Sequence, residues 1–155
     1  MDITLTINGH KSQFDIPVAT TLMEFLKSQR LWSVKHGCEN GECGNCAVIV
    51  DGKAVNSCSM LAVQADGKNI ETYESLRNSN EYTVLKEAFM DFGDIDCGFC
   101  IPGMMIAMKA LLDKMPDPTE EDLMDALAGS HCFCTKSVKP IDAICQAVKK
   151  MRGHY

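Results

Sequence analysis

The placement of cysteine constrains this 155-residue chain more than any other feature. Eight of its nine cysteines fall into tight groups. Cys38, Cys43 and Cys46 are spaced C-x4-C-x2-C, and Cys58 follows after a short gap. Cys97 and Cys100 form C-x2-C, and Cys132 and Cys134 form C-x-C. A disulfide between residues two apart is strained, because the bridge demands a particular Cα separation and dihedral. A disulfide framework would also need an oxidising compartment and would leave an odd thiol. The start of the chain, "MDITLTINGHK", is an alternating strand pattern. It has neither a charged segment followed by an apolar run nor twin arginines, so the expected location is cytoplasmic. The clustered thiols therefore read as metal ligands.

The opening triad has the spacing of plant-type [2Fe–2S] proteins, in which a loop supplies three thiolates and a separate strand the fourth. "CAVIVDGKAVNSC" is a hairpin with an Asp51-Gly52 turn, and its return strand delivers Cys58 to the end of the loop. Gly37, Gly41 and Gly44 interleave with the ligands, letting backbone N–H groups approach sulfur closely. Cys97, Cys100, Cys132 and Cys134 form the second set. C-x2-C precedes one helix and C-x-C leads to another, so two helix N-termini are expected side by side at the thiolates. Structural zinc also takes four cysteines, but commonly as two knuckles of C-x2–4-C, which a C-x-C half does not match. Cys145 lies on the apolar face of the last helix with Ile141 and Val148 and is expected to be a buried core thiol. His36 and His131 sit beside cluster cysteines but are not needed as ligands, since each set already has four.

The remaining pattern divides the chain in two. Ile3, Leu5 and Ile7 alternate with polar residues, "NGH" signals a turn, and a second strand is expected near 12–16. Thr21 and Glu24 make a capping box for a helix running to about Arg30, and a last strand falls at 69–72. Strands around one helix suggest a β-grasp sheet. "ESLRNSNEY" reads as loop. Helices are then expected at about 83–92, 102–115, 120–127 and 139–151, with Pro102 in a first turn and Thr119 with Asp122 as a second cap. "MMIAMKALL" is apolar nearly all round and should be central, its methionines filling core gaps. A formal net charge of −6 argues against a nucleic-acid partner, and no apolar run reaches membrane-spanning length. No glycine-rich nucleotide fingerprint is present.

"GCENGECGNCAVIVDGKAVNSC" joined to "CGFCIPGM" and "CFCT" resembles the small iron–sulfur subunit of the molybdenum hydroxylases, the xanthine dehydrogenase and aldehyde oxidase family. The resemblance covers essentially the whole chain. It implies an α+β architecture: a plant-ferredoxin-like β-grasp domain (residues 1–74) followed by a four-helix bundle (75–155), each with one [2Fe–2S] cluster. It also implies an electron-transfer subunit without a substrate site of its own. Electrons would come from a molybdopterin on a large partner subunit and leave to FAD on a medium one. Cys97, Cys100, Cys132 and Cys134 would hold the cluster nearer the pterin, and Cys38, Cys43, Cys46 and Cys58 the one nearer the flavin. Asp96 and Cys134 would contact the pterin. The alternative is a free-standing two-cluster ferredoxin.

The chain departs from the family pattern at that contact edge. Asp96 stands where Gln is usual, and Ile101 where Thr is common. The usual Asn-Leu-Cys-Arg-Cys-Thr-Gly-Tyr is here Ser130-His131-Cys132-Phe133-Cys134-Thr135-Lys136-Ser137.

Overall fold

A computed structural model describes residues 1–91, 95–136 and 139–153. Strands β1 (Asp2–Ile7) and β2 (His10–Asp15) form an antiparallel hairpin through Asn8 and Gly9, both with positive φ. Helix α1 (Leu22–Ser28) follows the expected capping box: the Thr21 hydroxyl accepts from Glu24 N–H, and the Glu24 carboxylate accepts from Thr21 N–H. Its Leu22, Met23, Phe25 and Leu26 are buried, and Arg30 at φ 64° ends the segment. Strands β3 (Ala47–Val50) and β4 (Lys53–Asn56) are the predicted hairpin, and β5 (Asn69–Glu71) completes a sheet of order β2-β1-β5-β3-β4. Within it β5 runs parallel to β1 and antiparallel to β3.

Where a loop was expected at "ESLRNSNEY", the chain instead makes a short helix α2 (Tyr73–Leu76), and α3 begins at Asn80 (Asn80–Met90). Leu76 and Tyr82 are buried, so tertiary packing overrides the polar local composition. The expected end of α3 at Phe92 lies outside the described residues. Helix α5 (Glu120–Leu127) matches the expectation, with the Thr119–Asp122 capping box, whereas α4 (Ile101–Leu112) begins one residue early and ends three residues short of the expected 115. Helix α6 (Ile141–Met151) starts two residues later than expected, after Pro140.

Two apolar cores result. One lies under the sheet among residues 3–70, with Leu5, Leu22, Leu26 and Ile70 fully enclosed. The other gathers residues of α2 to α6 with Ile49 of β3. Helix α4 is its centre: Met104, Met105, Ile106 and Met108 are buried, and its other side packs on β3 and β4. Not every methionine is core, since Met1, Met90, Met115 and Met124 are exposed. The principal helix contacts join α3 to α4, α4 to α5, α5 to α6 and α6 back to α3. Cys145 is half-buried and lines a cavity of about 500 Å³ between the start of α5 and α6, rather than being enclosed in the core.

Charged and polar groups tie the two halves. Lys109 of α4 pairs with Glu71 of β5 at 3.3 Å and with Asp113 at 2.5 Å. Glu74 of α2 accepts from Ser33 N–H (2.8 Å) and from the hydroxyls of Ser33 (2.5 Å) and Thr72 (2.6 Å).

Candidate metal centres

The loop from Gly37 to Cys46 is held at both ends. Lys35 N–H donates to Asn45 O, Asn56 Nδ2 donates to Gly41 O, and Ser57 donates to Cys46 O through its hydroxyl at 2.7 Å. Gly41 and Gly44 adopt φ of +76° and +70°, which an L-residue tolerates poorly. This curl turns N–H groups toward sulfur: Cys43 N–H points at Cys38 Sγ (3.4 Å) and Asn45 N–H at Cys43 Sγ (3.5 Å). Cys58 follows β4 in a single 3-10 turn, Ser57–Ser59. In the second set Cys100 caps α4, and Cys132 lies in a tight loop with Thr135 N–H toward its sulfur at 3.5 Å.

All nine thiols are free, and the eight of the two sets meet as neighbours in pairs. Cys38 lies with Cys43 and Cys46 with Cys58. Cys100 lies with Cys132, and Cys97 with Cys134 at 3.7 Å between sulfurs. Among the described residues, no three His, Cys, Asp or Glu side chains converge as they would on a single metal ion. A tetrahedral metal with bonds of about 2.3 Å separates its sulfurs by about 3.8 Å, so the 3.7 Å pair is spaced for one metal atom. Two pairs of neighbouring thiols in each set fit a two-metal group.

Electrostatics point the same way. Burial pushes the Cys46 thiol up to about 11 and Cys100 up to about 12, each helped by its paired thiol. For Cys43, burial again raises the pKa, against the pull of Asn45 N–H. Cys132 is pulled down to about 7: burial opposes its ionisation, but hydrogen bonds from Thr135 and the Cys100 thiol outweigh it. Cys38 is lowered by the Cys43 N–H. Several buried sulfurs thus hold protons unless a soft cation displaces them, which is how thiolate metal sites load. The Lys139 ammonium lies near the second set, donating to Ser130 O and interacting with Cys100 and Cys132. Sequence reasoning missed it, because it lies seven positions beyond Cys132.

The remaining sequence candidates are peripheral. Asp96 is exposed beside the exposed Cys97. Phe133 is 69% exposed and, with His131, Cys132 and Lys136, lines an open cleft of about 410 Å³. Lys136 has φ 57°, a conformation that glycine takes without penalty. Ile101 is buried, Ser137 lies outside the described residues, and His36 pairs with Glu39 at 3.5 Å.

The two sets are not remote. His131 N–H donates to Cys43 O at 2.8 Å, so one hydrogen bond links a cysteine of the first set to the residue before Cys132. Glycines make this approach possible. A Cβ on Gly44 would stand 2.4 Å from Gly129 O, and one on Gly103 would stand 2.5 Å from Gly44 O.

Comparison with known proteins agrees with this geometry. Residues 5–76 match the family model of the 2Fe-2S iron-sulfur cluster binding domain, and residues 72–145 match that of the [2Fe-2S] binding domain. The chain is 40% identical over 149 residues to the nicotinate dehydrogenase small FeS subunit of Eubacterium barkeri, covering 96% of this chain and 95% of that protein. It belongs to the small iron–sulfur subunits of the molybdenum hydroxylases. Another member, the xanthine dehydrogenase iron-sulfur-binding subunit of Escherichia coli O157:H7, is 42% identical over 135 residues, covering 86% of this chain and 85% of that one. The crystal structure of quinoline 2-oxidoreductase from Pseudomonas putida 86 superposes with a TM-score of 0.86 at 34% identity, covering 99% of this chain and 96% of that one. Members of this family are electron-transfer subunits of oxidoreductase complexes, and so is this chain. The sheet half is ferredoxin-like. No described helix is long and apolar enough to cross a membrane.

Proposed function

We propose that this chain is the internal relay of a molybdopterin-dependent hydroxylase or dehydrogenase. Residues 1–74 form its β-grasp unit, and 75–155 its four-helix bundle. Cys38, Cys43, Cys46 and Cys58 hold one [2Fe–2S] cluster; Cys97, Cys100, Cys132 and Cys134 hold the other. Within each set the neighbouring thiols serve one iron. Bound there, the clusters supply one-electron chemistry, linking a molybdenum–pterin on a large subunit to FAD on a medium one.

The observation that carries the proposal is the hydrogen bond from His131 N–H to Cys43 O. It supports a back-to-back arrangement of the two thiol sets, while other sulfurs reach the surface: Cys97 and Cys134 for the second set, and the partly exposed Cys38 and Cys58 for the first. Two inward-facing and two outward-facing edges suit entry at one partner and exit at another. Asp96 and Cys134 lie at the pterin edge in this reading. Gly44 and Gly103 keep the sets close, and the N–H groups of Cys43, Asn45 and Thr135 offset negative charge on sulfur.

Electron paramagnetic resonance on the reduced native complex tests this. Two [2Fe–2S] signals are expected, with about four irons per chain. Cys58→Ser should remove or alter one signal, Cys132→Ser the other, and Cys145→Ser neither. A colourless, zinc-loaded complex would overturn the reading. Purification without molybdenum and flavin chains would replace the relay with a free carrier.

A further inference from the structure

Asn45 lies between two ligands of the first set and is only 2% exposed. Its main-chain groups are used: the N–H points at Cys43 Sγ, and the carbonyl accepts from Lys35 N–H. Its side-chain Nδ2 is fully buried, yet it has no hydrogen-bond partner among the described residues. A buried amide donor left unsatisfied costs about 1–3 kcal/mol, and native proteins rarely leave one so. Something that accepts hydrogen bonds is therefore expected beside it.

The surroundings identify what that is. A Cβ built on Gly37 would meet Asn45 Nδ2 at 2.5 Å and Cys43 Sγ at 3.0 Å. The two atoms crowd the same bare glycine and are neighbours. Gly37 has an ordinary φ, so the close approach is what its missing side chain serves. Reversing the amide would turn an oxygen lone pair toward a sulfur that becomes a thiolate on metal binding, which electrostatics disfavours. The donor thus lies on the same side of the loop as the Cys43 sulfur, unbonded to it and free for an acceptor seated there.

We infer that the Asn45 side-chain amide donates a hydrogen bond to the first cluster, at Cys43 sulfur or an adjacent inorganic sulfide, and sets its reduction potential. The inference rests on assigning Cys38, Cys43, Cys46 and Cys58 to a cluster. A donor to sulfur stabilises the reduced, more negative form, so it raises the potential. Asn45 therefore makes this cluster a better electron acceptor than it would be without the amide. Gly37 has the supporting role of leaving the amide room.

The test is Asn45→Leu, which keeps the approximate shape and removes the donor, in the intact complex under an electron paramagnetic resonance redox titration. The first-cluster midpoint is expected to move negative, with the second-cluster midpoint and the iron and sulfide content unchanged. Asn45→Asp should move it further in the same direction, because a carboxylate adds negative charge. An iron-loaded Asn45→Leu complex with an unmoved first midpoint would overturn the inference alone. Wild-type complex lacking a first-cluster signal would overturn the cluster assignment, and the inference with it. If Asn45→Leu fails to load iron, the wild-type complex with 15N confined to asparagine side chains decides. A nitrogen coupled to the reduced first cluster supports the inference; its absence refutes it. Asn56 does not confuse that reading, since its Nδ2 is committed to Gly41 O.

Discussion

Replacing Gly103 by alanine sets two effects of opposite sign against each other. Gly103 occupies the first turn of α4, where helix propensity favours alanine by at most about 0.5–1 kcal/mol. Propensity alone thus forecasts a modest gain in stability. The structure forecasts a loss. The new Cβ would lie 2.5 Å from Gly44 O, where ordinary contact begins at 3.4 Å, and 3.2 Å from Asn45 Cα. Both obstacles are backbone, and the loop bearing them is pinned by Lys35, Asn56 and Ser57. Neither can swing away as a side-chain tip would. Overpacking of this kind costs about 1–3 kcal/mol, so sterics outweigh propensity and a net loss of about 1–2 kcal/mol is expected. Relief requires α4 to move away from the first cysteine loop, which also separates the two thiol sets. Thermal unfolding of the iron-loaded chain measures the stability. Spin–spin interaction between the two reduced centres measures the separation, and it should weaken. A Gly103→Ala protein as stable as wild type, with unaltered interaction, would refute the claim that glycine contact sets the approach.

Three further outcomes are expected. Glu74→Gln should destabilise the fold by about 1–3 kcal/mol near neutral pH, because three donors lose a charged acceptor. Burial raises the Glu74 pKa, but hydrogen bonds from Ser33 and Thr72 outweigh it, leaving the net value below the usual 4.5. The stability is thus present above 4.5 and fades as pH falls through the lower folded value; chemical denaturation against pH should show the variant lacking that acid-range loss. Lys139→Gln should shift the second-cluster midpoint negative and spare the first, since a cation near Cys100 and Cys132 favours the reduced form; Lys139→Arg should largely preserve it, as redox titration would show. Lys136→Gly should raise stability by about 0.5–1 kcal/mol in thermal melts, by relieving a left-handed conformation at φ 57°.

Much of the molecule was legible in the chain because its signals are local. A capping box needs only residues three apart, and both Thr21–Glu24 and Thr119–Asp122 form as read. The Asp51-Gly52 turn fixes the β3–β4 hairpin and returns Cys58 to the loop at a distance the sequence itself sets. By contrast, "ESLRNSNEY" is polar enough to read as loop. It became α2 and the start of α3 because Leu76 and Tyr82 found a core assembled from residues far along the chain. Helical periodicity marked the face of Cys145 but not how much of it α5 would cover.

The sequence by itself determined the two cysteine sets, since thiol spacing is written in the chain and soft-metal chemistry follows from it. Only the tertiary structure decided which thiols became neighbours and how near the sets lie. It also put the Lys139 ammonium and the Asn45 amide near sulfur. Those relations depend on backbone approach at Gly37, Gly44 and Gly103, between segments tens of residues apart. Such contacts form only when whole elements pack, and they leave no pattern in local spacing.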